Sequence, residues 1–145
     1  GEDMIMLGIL SKAKRVAYVP EALYHYVKTN AEAISEKFSE QRLIDIQYNA
    51  NSAIAVLEKQ YPADLSKEIA LFKLNVKLPF LITDDNRLHE LWRNWYPEAN
   101  KYAMANRELP FRTRLLQWLA SINQWWLVKS YYKFVYKFIY GIIYR

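Results

Sequence analysis

Only 3 glycines and 5 prolines punctuate this chain. A chain so poor in turn residues has few hairpins, and the expected class is mainly α. The same scarcity excludes a glycine-rich phosphate loop, because GxGxxG and GxxxxGK[ST] both need glycines in close succession. Cysteine is absent, which excludes disulfides and thiolate metal sites. His25 and His89 are the only histidines, too few for a histidine-rich zinc site. Most self-contained catalytic machinery is thereby removed. Hydrophobic residues fill 52% of the 145 positions, enough to build one domain core and too many for a disordered chain.

Hydrophobic spacing divides the chain further. Residues 2–13 read as a short helix with Ile5, Leu7, Ile9 and Leu10 apolar. Arg15–Val19 and Leu23–Val27, separated by Pro20, fit two short strands or extended segments. From Ser39, a plausible N-cap, Leu43, Ile46, Ala50, Ile54 and Leu57 recur at helical spacing. A second helix carries two apolar stripes, Ile69, Phe72, Val76 and Phe80 beside Leu71, Leu74, Leu78 and Leu81, and so belongs between other elements. Pro79 should end or kink it. Thr83-Asp84-Asp85-Asn86 is a helix start, with the acids as caps and not as metal ligands. Pro97 and Pro110 open further helices. The expected architecture is an assembly of about five to six helices with a short β element near the N-terminus.

Charge is unevenly spread. Residues 1–108 carry 14 basic and 15 acidic side chains, whereas residues 109–145 carry 6 basic and none acidic. Those last 37 residues also hold 11 of the 23 aromatics. Lys129, Lys133 and Lys137 recur every four residues on one helix face, beside an apolar stripe of Val128, Tyr132, Val135, Ile139 and Ile142. Trp118, Trp125 and Trp126 precede them. Two readings fit this tail: a basic, aromatic helix on an anionic membrane surface, and a final core helix with a solvated basic face. Nucleic acid is not expected as a partner, since the apolar stripe is continuous and no recognisable nucleic-acid motif accompanies it. No run of 18 uncharged apolar residues exists, so a spanning helix is not expected.

Glu2-Asp3 places two carboxylates at a helix start, where they can cap the helix or hold a general base. The order Gly1-Glu2-Asp3, an apolar helix, Lys14-Arg15-Val16-Ala17-Tyr18-Val19-Pro20, Leu23-Tyr24-His25-Tyr26 and Ile34-Ser35 resembles the end of the catalytic domain in bacterial family 2 glycosyltransferases of the GT-A fold. The resemblance covers residues 1–35. It implies that Asp3, with Glu2 beside it, is the base that deprotonates an acceptor hydroxyl. It also implies that Tyr24, His25, Tyr26 and Lys28 flank the donor diphosphate or the acceptor. Val27-Lys28 and Ala33 depart from the family pattern, which often has Arg and Ser there.

On this resemblance, residues 1–35 end a catalytic domain, 36–108 form a helical extension, and 109–145 form the basic aromatic tail. The implied reaction is inverting transfer of a sugar from a nucleotide sugar to a glycan acceptor in surface polysaccharide synthesis. The family's nucleotide-binding half and D-x-D metal motif lie upstream of its E-D motif. The chain is therefore expected to be an inactive C-terminal fragment holding no cofactor. Nucleotide sugar and a divalent metal, Mg or Mn, belong to the full-length enzyme. The expected location is cytoplasmic, peripheral on the inner face of the membrane. The alternative is a non-catalytic helical interaction or membrane-docking module.

Overall fold

The computed structural model describes residues 6, 9, 10, 12–21, 40–60, 65–135 and 138. These residues are mainly helical, and no strand occurs among them. The chain forms two compact units, Gly1–Val56 and Leu57–Arg145.

In the first unit Met6, Ile9 and Leu10 are helical, and bonds from Lys12 N to Ile9 O and from Ala13 N to Leu10 O close a turn. Of the two alternatives for Arg15–Val19, a strand or an extended segment, the strand is not formed. The segment has no regular structure, and Val16, Val19 and especially Tyr18, 88% accessible, face solvent. β-Branched and aromatic residues make a strand only when a neighbour pairs their backbone and covers one face. The second expected strand, Leu23–Val27, and the Ser39 cap lie outside the described residues. Helix α1, Glu40–Gln60, follows the predicted stripe, with Ala50, Ala53 and Ile54 buried. Ile44 and Tyr48 stand on its open side.

The second unit is built around α2, Ser66–Val76. Pro79 ends α2 as expected: without an N–H it cannot continue the ladder, and Leu78–Phe80 tightens into a 3₁₀ turn. Helix α3, Asn86–Asn94, starts at Asp85, whose carboxylate accepts a bond from Arg87 N at 2.8 Å. The Arg87 side chain bonds the same carboxylate and holds it below the ordinary Asp range. Pro97 opens a 3₁₀ helix, Pro97–Ala105, and Pro110 directly precedes α4, Phe111–Ser121. Nine residues is long for a 3₁₀ helix. Its buried Ala99 and Ala103 let α2 and α4 approach it closely. The core fills with Leu74, Phe80, Leu81, Trp92, Leu116, Ala120 and Val128.

The turn from α4 to α5, Trp125–Tyr132, is a Schellman motif. Asn123 sits at φ 61°, its N–H bonds Ala120 O at 3.0 Å, and Gln124 N–H bonds Leu119 O at 2.8 Å. Asparagine tolerates this left-handed position better than residues whose Cβ clashes there. Replacing Asn123 by Gly should hold or raise stability, whereas Asn123→Val should lower it by about 1–2 kcal/mol. Urea denaturation of the two variants against the parent chain checks this.

Candidate functional site

The N-terminal motif residues Glu2, Asp3, Tyr24, His25, Tyr26 and Lys28 lie outside the described residues, as does Lys137. The chemistry that can be built from described side chains is in the second unit.

Its most unusual group is Lys77, at the C-terminal end of α2, with no exposed surface. The Lys77 ammonium donates to Asn100 Oδ1 at 2.7 Å and lies 4.0 Å from the centre of the Trp92 ring. The Tyr96 carbonyl stands 3.5 Å away. Burial pushes the Lys77 amine down to about 7, against a weaker upward pull from Glu98. A depressed lysine is often a nucleophile or base, but no substrate reaches an atom sealed on every side. Lys77 is a structural amine.

On the neighbouring turn of α2, Lys73 bridges Glu58 at 2.8 Å and Glu98 at 2.9 Å, with Tyr96 under its ammonium at 4.9 Å. Burial lowers its affinity for the proton, but the two carboxylates outweigh that and hold Lys73 above the ordinary lysine value. Burial raises Glu98, and Lys73 more than reverses it, leaving the carboxyl low. Lys73 thus joins the end of α1, α2 and the start of the long 3₁₀ helix. A recess of about 210 Å³ opens there, lined in part by Ser66, Lys101 and Tyr102.

The predicted tail residues separate. Trp125 is buried, which corrects its assignment to a membrane surface. Its indole stacks on His89 with centroids 4.4 Å apart and meets the edge of Trp92 at 5.5 Å. His89 Nε2 lies 3.0 Å from Thr83 O, and burial first, then the Lys129 charge, keeps His89 neutral-leaning, below the ordinary histidine value. Lys129 bonds the Asn86 side chain. Val128, from the predicted apolar stripe, is fully buried. This half of the tail is therefore core. Trp126 and Lys133 face outward. A recess of about 260 Å³ beside Trp125 is rimmed by Asn86, Glu90, Arg93 and Lys129. Both recesses fall short of the roughly 300–1,000 Å³ of common small-molecule sites. No group of three His, Asp or Glu able to hold a metal occurs among the described residues.

Sequence reasoning named Trp118 and Trp126 in its aromatic tail and missed that Phe111, Ile122, Phe134 and Phe138 are exposed as well. Phe111 and Trp118 on α4, Ile122 directly after it, and Trp126, Phe134 and Phe138 along and beyond α5 all stand 42–64% accessible. The spacing 111, 118, 122 was a readable signal, since intervals of seven and four share one helix face. No protein-family model, curated protein or solved structure matches the chain.

Lys77 makes stability depend on pH. The unfolded chain holds its proton up to about pH 10.5 and the folded chain only to about 7. The unfolded state therefore binds more protons between these values, and stability rises with pH. Between pH 7 and 9 urea denaturation should show a rise of up to about 1.4 kcal/mol per pH unit. Lys77→Met should flatten that slope.

Proposed function

We propose that this chain is the C-terminal portion of an inverting family 2 glycosyltransferase, acting on a nucleotide sugar and a glycan acceptor. The observation that carries the reading is the order and spacing of Gly1-Glu2-Asp3, Lys14–Pro20, Leu23–Tyr26 and Ile34-Ser35. Each segment is short, and their combination within 35 residues is what gives the resemblance its specificity. The helical body after residue 36 acts as a support on this reading, because its buried amine is sealed and its recesses are small.

The chemistry falls to Asp3. A sugar hydroxyl is a poor nucleophile until its proton leaves in the transition state. On this reading the Asp3 carboxylate, next in the chain to a second carboxylate on Glu2, supplies the base. The acceptor oxygen then attacks the anomeric carbon from the face opposite the nucleotide diphosphate, which departs with the bonding electrons, and the configuration inverts. A divalent metal would stabilise that leaving group in such an enzyme. The described residues offer it no ligand set, and no step here depends on it.

In the full-length polypeptide that carries this chain, Asp3→Asn should lower the transfer rate by at least ~100-fold with donor binding nearly unchanged. Asn caps a helix about as well as Asp, so the folded state should survive. A purely capping Asp3 gives the opposite pattern. Asp3→Asn is then fully active, and Asp3→Ala costs about 1 kcal/mol of stability. Initial rates and thermal melts of both variants separate the two, and full activity in Asp3→Asn removes Asp3 from the mechanism.

A further inference from the structure

The α4–α5 hairpin leaves its largest apolar side chains uncovered. Along α4 and directly after it, Phe111, Trp118 and Ile122 are exposed by 60%, 42% and 44%. Past the Asn123 turn, Trp126, Phe134 and Phe138 are exposed by 64%, 60% and 52%. The helix widens into a π turn at Lys133–Val135, and the Phe134 and Phe138 rings stack on each other with centroids 5.9 Å apart. Inward, the same two helices are fully committed through Leu116, Gln117, Ala120, Trp125 and Val128. The exposure is therefore a property of a second, outward face and not of loose packing.

Within residues 109–145, the segment that carries that face, the charges have one sign. No acidic residue occurs after Glu108. Lys133 lies seven residues from Trp126 on the same side of the helix, and it is exposed, as is Arg112 next to Phe111. Neither takes part in an ion pair with a described residue. Exposed Trp and Phe with exposed cations, in a segment without a carboxylate side chain, match the headgroup layer of an anionic bilayer. There, rings sit between tails and phosphates, and lysines meet lipid charge. Protein–protein interfaces share the enrichment in Trp, Phe and Arg but are depleted in lysine, so the exposed Lys133 is the feature that favours lipid over a protein partner.

We infer that the outward face of the α4–α5 hairpin docks in the plane of an anionic lipid bilayer, with Phe111, Trp118, Ile122, Trp126, Phe134 and Phe138 entering the interface and Arg112 and Lys133 at the phosphates. No helix among the described residues is long and apolar enough to cross a membrane, so the contact is peripheral. The site differs from the sequence-based one: Trp125 is buried, Lys129 is half-buried and bonded to Asn86, and Phe111, Ile122, Phe134 and Phe138 join the face. The inference does not depend on the transferase reading, since none of its residues takes part in the proposed chemistry.

Co-sedimentation with vesicles of phosphatidylglycerol and phosphatidylcholine, against phosphatidylcholine alone, tests it at low and high salt. The chain should partition onto the anionic vesicles only, and weaken at high salt. Trp126→Ser with Phe134→Ser should reduce partitioning at least about tenfold, since each removes an exposed ring that bilayer burial stabilises. Both positions are solvent-facing, so far-UV circular dichroism melts should be unchanged. Arg112→Gln with Lys133→Gln should reduce it about 30-fold at low salt, from roughly 1 kcal/mol per cation. Absence of anionic-vesicle binding overturns the inference, as does binding that the ring substitutions leave intact. Sedimentation equilibrium covers the remaining occupant: a dimer that dissociates in Trp126→Ser with Phe134→Ser assigns the face to a second copy and overturns the membrane assignment.

Discussion

The second unit hangs on the C-terminal end of α2, and on the buried Lys77 side chain in particular. A helix end leaves carbonyls without partners, and a lysine is seldom placed where water cannot reach it. Here the two demands are met together. Gln117 Nε2 bonds Leu74 O at 3.2 Å, Asn106 Nδ2 bonds Asn75 Oδ1 at 2.7 Å, and Lys77 reaches Asn100 over the face of Trp92. One helix end is thereby tied to the long 3₁₀ helix, to α3 and to α4. Gln117 and Asn106 are fully buried, so each bond forms where its loss would strand a polar group.

The same junction accounts for the strained step before the 3₁₀ helix. Tyr96 has φ 51°, a left-handed conformation that is unfavourable for a residue with a Cβ. It is held from both sides. Its ring stacks on Trp95 with centroids 5.0 Å apart, Lys73 sits over it, and Lys77 lies near its carbonyl. The Lys73 bridge to Glu58 and Glu98 involves half-exposed carboxylates, so its main effect is to orient and not to stabilise strongly. Two lysines four residues apart on α2 thus do different work: one aligns elements at the surface, and the other anchors them from inside.

Function divides along the chain. The proposed proton transfer belongs to the N-terminal segment around Asp3, whereas the proposed bilayer contact belongs to the outward aromatic side chains of α4 and α5. The core of the second unit is aromatic: Trp92 and Trp125 contact each other edge to face, His89 stacks on Trp125, and Phe80 leans on Trp95. The aromatics of α3 are consumed in holding the hairpin, which leaves those of α4 and α5 that point outward free for another surface.

Much of the helical order was legible in the residues. Pro79, Pro97, Pro110 and Asp85 act within about one helical turn, through a missing N–H, a fixed φ or a cap, and each ended or began an element where expected. The mainly α class followed from the same local chemistry. For Arg15–Val19 the residues left a strand and an extended segment open, and no strand forms, because a strand requires a partner that five residues do not contain. Lys77 was not foreseen as a core residue, nor Trp125 and Trp126 as lying on opposite sides. Burial is decided by what packs against a position, and Asn100, Trp92 and His89 come from other elements. Local backbone preference is thus written in the sequence itself, while the choice between an inner and an outer tryptophan waits for the neighbour that covers one of them.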